Sequence, residues 1–394
     1  MVFSLAKNQS YDRRVRLTSC YLSLCLFSIS LPVSAEDTLI FPNACTQGKQ
    51  ITIAAMGDLL LHRPLQLKAA QSGYDSLWSK ITPFLQSADI VYANLEGPIA
   101  PGINKNGKEV DDPLKWDLNV YSDFPMFNYH PSLAQSLKTS GFTIVSTANN
   151  HTLDRYSIGI DKTIQTLDKA GIYHVGTRSK GTEQPWFKIV ERQGFKIAWL
   201  ACTEHTNGFD DKHHQVLHCN KKEDRQLILK TIQELKTQVD AIVISPHWGE
   251  EYHEYPNKSQ TAFATQVLDA GATAVIGSHP HVLQPVKKYI TKDNRATLIS
   301  YSLGNFVSFQ GSQRTRSTMI LLLGLTKTTN GTIINGVRFV PLFMQNRSGT
   351  SNIHIAPISA QNRDWMSYQI ISRNIPSGNA LFSPKLITNP ECFK

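Results

Sequence analysis

The sequence predicts a layered α/β fold, and three observations carry the prediction. Short, nearly continuous apolar runs rich in β-branched residues recur along the chain, as strands covered on both faces require. Stretches with apolar residues at helical spacing alternate with them. Polar clusters of one chemical type collect directly after the runs, where an α/β sheet gathers its site.

Taken in order, the first 35 residues stand apart. Arg13, Arg14 and Arg16 form a basic start, an apolar run follows over 21–31, and Val33-Ser34-Ala35 supplies small residues. This is the layout of a secretory signal peptide cut after Ala35. The run is shorter than the ~20 residues a spanning helix needs, which favours cleavage over an uncleaved membrane anchor, the other reading. Leu17-Thr18-Ser19-Cys20 has the wording of a lipoprotein box but precedes the apolar core. The residues around Arg13-Arg14 fit twin-arginine export poorly. The expected location is periplasmic or otherwise extracytoplasmic. Residues 36–394 read as one domain, with 311–394 a β-rich C-terminal elaboration.

Loss of 1–35 lowers the formal charge from +9 to +6, because Lys7, three arginines and Asp12 go with it. Such a surface can meet an acidic polymer, but the charges are scattered and no nucleic-acid motif is present. Cys45, Cys202, Cys219 and Cys392 remain. An even number in an oxidising compartment points to two disulfides, Cys202–Cys219 and Cys45–Cys392, with free thiols as the alternative.

Strands are expected at 51–56, 90–93, 143–146, 197–200, 241–244, 274–276 and 297–300. Helices are expected at 131–140, 159–170, 225–239 and 259–270, three of them closed by Gly141, Gly171 and Gly271. Residues 317–325 and 332–342 read as two antiparallel strands extending a second sheet. The aromatic-rich stretch 101–131 has little periodicity and is either a lid or a structured excursion.

Five clusters follow strands. In Gly57-Asp58-Leu59-Leu60-Leu61-His62, glycine turns the chain out of the strand, and a helix starting there would set Asp58 and His62 at i, i+4 on one face. Asn94-Leu95-Glu96-Gly97 and Asn149-Asn150-His151-Thr152-Leu153-Asp154 come next. His247-Trp248-Gly249-Glu250-Glu251-Tyr252 and Gly277-Ser278-His279-Pro280-His281 complete the set. Singly, each histidine is an ordinary hydrogen-bonding residue and Asp58 an ordinary cap. Together they put carboxylate, amide and imidazole donors on one rim of a sheet. A carboxylate that bridges two divalent ions damps their repulsion, and imidazole and amide groups complete each shell. His279 and His281 would lie on the same side of an extended segment stiffened by Pro280.

With Ser302-Leu303-Gly304-Asn305-Phe306, six ordered motifs over about residues 50–310 resemble the CapA family of capsule-synthesis proteins, within the calcineurin-like metallophosphatase superfamily. The resemblance implies an α/β/β/α sandwich of the metallo-dependent phosphatase type. It implies two divalent metal ions (Mn, Zn or Fe), the first held by Asp58, His281 and His62 and the second by Asn150, His247 and His279, with Glu96 bridging. His151 would protonate a leaving group or steady an oxyanion, with Asp154 orienting it. Two departures from the broader phosphatase pattern stand out. Three residues separate Asp58 from His62 where that pattern has one, which sets His62 apart from the other ligands. The bridging position is Glu where phosphatases use Asp. Glu250, Glu251 and Tyr252 are read as neighbours supporting His247, and Arg155 as an anion contact or a surface arginine. Asn305 and Ser302 are read as residues that turn the chain.

The implied function is an exported metal-dependent hydrolase in capsule or poly-gamma-glutamate synthesis. It would cut a phosphoester or amide bond of an anionic polymer or phosphorylated envelope substrate. The rival is a non-catalytic accessory that binds or exports the polymer within a membrane synthase complex. A peptidoglycan-directed amidase is a third reading.

Overall fold

The computed structural model describes residues 39–41, 43–346, 352–358 and 365–375. The expected signal peptide and Cys392 lie outside them. In chain order the elements begin with β1 (Lys49–Leu60), α1 (Arg63–Ser72), α2 (Thr82–Gln86), β2 (Ile90–Leu95), α3 (Ser132–Thr139), β3 (Ile144–Ser146) and α4 (Tyr156–Ala170). There follow β4 (Tyr173–Val175), β5 (Phe187–Arg192), β6 (Phe195–Thr203), α5 (Lys222–Leu235), β7 (Ala241–His247), α6 (Lys258–Ala270) and β8 (Ala274–Ile276). The chain continues through β9 (Leu283–Ile290), β10 (Ala296–Leu303), β11 (Asn305–Ser308), α7 (Gln313–Arg316), β12 (Ser317–Thr328), β13 (Gly331–Gln345), β14 (His354–Pro357) and α8 (Trp365–Arg373). No described helix is long and apolar enough to cross a membrane.

The strands form two sheets. One runs β14-β13-β12-β1-β2-β3-β4 with β11 also paired to β1, and the other runs β5-β6-β7-β8-β10-β9. The period of two along each buried strand divides the cores. Ile51, Ile53 and Ala55 of β1 and Ile90 and Tyr92 of β2 face a central core shared with Ile197, Trp199 and Val243 of the other sheet. The alternate residues Ala54, Met56, Val91 and Ala93 pack outward against Leu65 of α1 and Leu133 and Leu137 of α3. Ala198, Leu200, Ile242 and Ile244 pack outward against Ile228 and Ile232 of α5 and Phe263 and Val267 of α6. The result is a four-layer α/β/β/α sandwich. Each fully buried Leu or Ile in it contributes roughly 1.5–3 kcal/mol before entropy is counted. Tyr92 stacks on Trp199 across the central layer, ring centroids 4.8 Å apart.

Three expectations change here. β12 and β13 are antiparallel but extend the sheet of β1 instead of a separate one, because β12 lies along β1 from Lys49–Lys327 to Ala55–Leu321. Gly57 does not turn the chain out of the strand; β1 runs through it to Leu60. Glycine is needed there because a Cβ would sit 1.7 Å from the Gly304 carbonyl oxygen. That close approach brings β11 onto β1 and lets the Asp58 amide donate to Gly304 O. α1 starts only at Arg63, so Asp58 and His62 do not share a helix face.

Candidate metal centre

Asp58 lies near the end of β1, Glu96 one residue past β2, and Asn149 to Asp154 between β3 and α4. His247 is the last residue of β7, and His279 and His281 follow β8. The polar clusters therefore come from both sheets and meet where the strand ends face each other, not along one sheet's rim. Asp58, Glu96, Asn150, His247, His279 and His281 are all buried.

Their atoms form two groups sharing Glu96. His247 Nε2 lies 3.0 Å from Asn150 Oδ1, 3.1 Å from His279 Nδ1 and 3.8 Å from Glu96 Oε1. His281 Nδ1 lies 3.2 Å from Asp58 Oδ2, and its Nε2 lies 3.8 Å from Glu96 Oε1. Asp58, Glu96 and His247 each offer a donor atom within 4.8 Å of the others. Neither carboxylate oxygen of Glu96 has a hydrogen-bond partner, although the residue is fully buried. An uncompensated buried carboxylate is costly, and here burial first, then the charge of Asp58, pushes its pKa well above the ordinary value. Burial, then neighbouring histidines, holds His247 well below the ordinary value and His279 down to about 2. Neutral imidazole lone pairs around an orphaned carboxylate are what divalent cations bind.

Supporting contacts fix the donors. Ser278 Oγ, 3.0 Å from His247 Nδ1, can accept its proton and leave Nε2 as a lone pair. Asn94 Nδ2 donates to Asp58 Oδ1 at 2.8 Å and lies 3.2 Å from His247 Nδ1. Asn149 Nδ2 donates to Leu95 O at 2.7 Å, and its Oδ1 accepts from the His151 amide. His279 and His281 are not on an extended segment. Their φ angles are 98° and 59°, because the chain turns back after β8 while Ser278 O accepts from Trp248 N and Pro280 O from Tyr252 N. Non-glycine residues in this region cost of order 1–3 kcal/mol each, which the surrounding bonds must offset.

His62 stands apart from the other predicted ligands. Its Nδ1 lies 3.1 Å from Leu60 O, to which it can donate its proton, and 3.3 Å from Phe309 N, leaving only Nε2 for a ligand. Burial holds its pKa down to about 4, and it feels the charges of His281 and His151. His151 and Asp154 are paired, Nδ1 to Oδ2, at 2.8 Å. Arg155 is neither an anion contact nor a surface residue. It is fully buried and donates to loop carbonyls. Ser302 and Asn305 brace the turn between β10 and β11. Ser302 Oγ donates to Val282 O and accepts from Gly304 N, while Asn305 Nδ2 donates to Thr315 O.

At the mouth, Glu250 is exposed and pairs with His253. The charge of Glu251 reaches Glu96. The Tyr252 ring lies 6.0 Å from His281. Sequence reading missed Asn94, Asn149 and Ser278, and also the loop after β6. There His205 sits edge-on to His279 at 5.0 Å, and Asn207 Nδ2 lies 3.5 Å from His151 Nδ1. The Cys202–Cys219 disulfide closes this loop. Cys45 is disulfide-bonded as well.

The family model described as bacterial capsule synthesis protein PGA_cap matches residues 52–310. PGA biosynthesis protein CapA of Bacillus subtilis is 32% identical over 285 residues, covering 71% of this chain and 69% of that protein. Capsule biosynthesis protein CapA of Bacillus anthracis is 30% identical over 312 residues, covering 77% and 69%. Among solved structures, the calcineurin-like phosphoesterase YfkN from Bacillus subtilis aligns with a TM-score of 0.43 at 13% identity, over 83% of this chain and 97% of that one.

Proposed function

This chain belongs to the PGA_cap family of bacterial capsule synthesis proteins, and from that premise we propose that it is an exported metal-dependent hydrolase acting on an anionic envelope polymer or its phosphorylated precursor. The observation that carries the reading is the orphaned Glu96 carboxylate, set between Asp58 and His281 on one side and Asn150, His247 and His279 on the other, beside a paired His151 and Asp154.

The residues fit a pair of divalent ions. Asp58 and His281 would hold one, Asn150, His247 and His279 the other, and Glu96 both, with His62 Nε2 as a further donor to the first. When bound, such ions supply Lewis acidity to a phosphoryl or acyl oxygen and ready a water for attack.

The protein supplies the rest. Asp154 Oδ2 takes the His151 Nδ1 proton's hydrogen bond, which fixes the ring and leaves Nε2 to carry a proton toward a leaving group. The same oxygen accepts from Phe127 N at 2.6 Å, so the carboxylate cannot rotate freely. The Phe127 ring meets His151 edge-on at 4.7 Å and shields it from water. A merely structural ion site needs no acid/base pair held in this way.

The test is a His151→Ala variant assayed on phosphoester and γ-glutamyl amide probes. The expected outcome is full metal content and unchanged fold, with turnover down about 10²–10⁴-fold, the usual contribution of a positioned proton donor. Wild-type turnover in the variant, or none in either protein on any probe, would favour a polymer-binding accessory role.

A further inference from the structure

We infer that Arg155 is a positioning residue that fixes the His151–Asp154 pair through Phe127, and that segment 101–131 is a built wall of the site instead of a lid.

Arg155 is fully buried, and a buried guanidinium is tolerated only where its donors are satisfied. Its Nε donates to Ile103 O at 3.2 Å, and its Nη2 to Val120 O at 2.9 Å and Ser122 Oγ at 2.5 Å. Its Nη1 donates to Asp154 O at 2.8 Å, Phe127 O at 3.3 Å and Met126 O at 3.4 Å. One planar fork thus gathers carbonyls spread over 24 positions of a segment with little secondary structure of its own. Lysine, a point charge on a flexible stem, lacks that geometry.

The fork stops at the Asp154 backbone and leaves the carboxylate to others. Phe127 is gripped at both ends of its backbone, its carbonyl by Arg155 and its amide by Asp154 Oδ2. Its ring stands edge-on to His151 at 4.7 Å and to His62 at 5.5 Å. Two residues on, the Tyr129 hydroxyl donates to Glu96 O at 2.5 Å and accepts from Leu61 N at 3.2 Å. The wall therefore touches both the proton-carrying pair and the backbone of Glu96.

The inference rests on the hydrolase reading for its kinetic arm alone. Arg155→Lys and Phe127→Leu would be made in the full chain. Each would be read by amide exchange at position 127, by the His151 Nδ1–H imidazole resonance, by metal content, and by kcat and KM. In Arg155→Lys we expect exchange at Phe127 at least ~10-fold faster and the His151 resonance broadened or lost, with metal content retained. Turnover should fall about 10- to 100-fold at nearly constant KM, as small misplacements of a reacting group do. Phe127→Leu, which keeps the backbone bonds, should disturb the His151 resonance and kcat without speeding exchange. A folded Arg155→Lys protein with native Phe127 protection and a native His151 resonance overturns the inference. If Arg155→Lys does not fold, a native His151 resonance in Phe127→Leu overturns it. A wild-type protein without turnover defeats the hydrolase reading, while the exchange and resonance measurements still decide the positioning role.

Discussion

At the scale of single residues, the site is a set of groups forced away from their preferred charge. Burial raises Glu96 and Asp154 above the usual carboxylate range and lowers His62, His247 and His279 below the ordinary imidazole value of 6.5. The signs give a pH profile for the metal-free protein. A carboxylate with a raised folded pKa binds more protons folded than unfolded, so stability falls as pH rises above its ordinary value of 4.5. A histidine with a lowered folded pKa binds fewer protons folded, so stability falls as pH drops below 6.5. Between those values the two effects oppose each other as pH rises, the histidines adding stability and the carboxylates removing it. Added metal should raise the melting temperature more at pH 8 than at pH 5, a comparison that calorimetry checks directly. Glu96→Gln should lose metal yet melt above the metal-free parent at high pH, because a buried amide carries no charge whereas the buried carboxylate must hold a proton. A lower melting point in that variant would mean that Glu96 has partners in the metal-free protein after all.

At the scale of elements, the loop after β6 depends on its disulfide. Cys202 and Cys219 are 17 positions apart, and a closed loop of that length is worth about 3 kcal/mol on the chain-entropy estimate. Replacing both by alanine should lower stability by about that much in denaturant titration. It should also loosen His205 against His279 without removing metal from the site. Buried strands and amphipathic helices were legible because apolar burial on both faces leaves continuous runs, as in β2, β6, β7 and β10. The shorter or half-exposed strands β4, β5, β9, β11 and β14 were not. Their exposed faces carry residues such as Tyr173, Lys188 and Lys287, which break the apolar signal. The strong start signal of α6, a capping box of Asn257 and Gln260 that begins the helix one residue ahead of the expected start, was present in the sequence but went unread.

At the scale of the whole molecule, the site exists because two sheets pack face to face across one core and bring their strand ends together. The ligand types were legible, since carboxylates, amides and imidazoles bunch after apolar runs. Which sheet each cluster belongs to was not, because that depends on pairings such as β12 on β1 that no local pattern records. Asn94, Asn149 and Ser278 were missed for a related reason. Amides and hydroxyls are common wherever a chain turns, and only the meeting of the sheets shows which of them hold a ligand in place. Arg155 was misread as a surface arginine or an anion contact, because a cation beside an acid looks like either until the carbonyls of a segment some thirty to fifty positions upstream are seen around it. What matters most to the proposed chemistry is that this meeting point holds divalent ions. The most direct test is elemental analysis of the protein purified without chelator, beside a Glu96→Ala, His281→Ala double variant. About two ions per chain are expected, lost in a variant that remains folded. A wild-type protein that binds no metal, even after reconstitution with Mn, Zn and Fe, would contradict it.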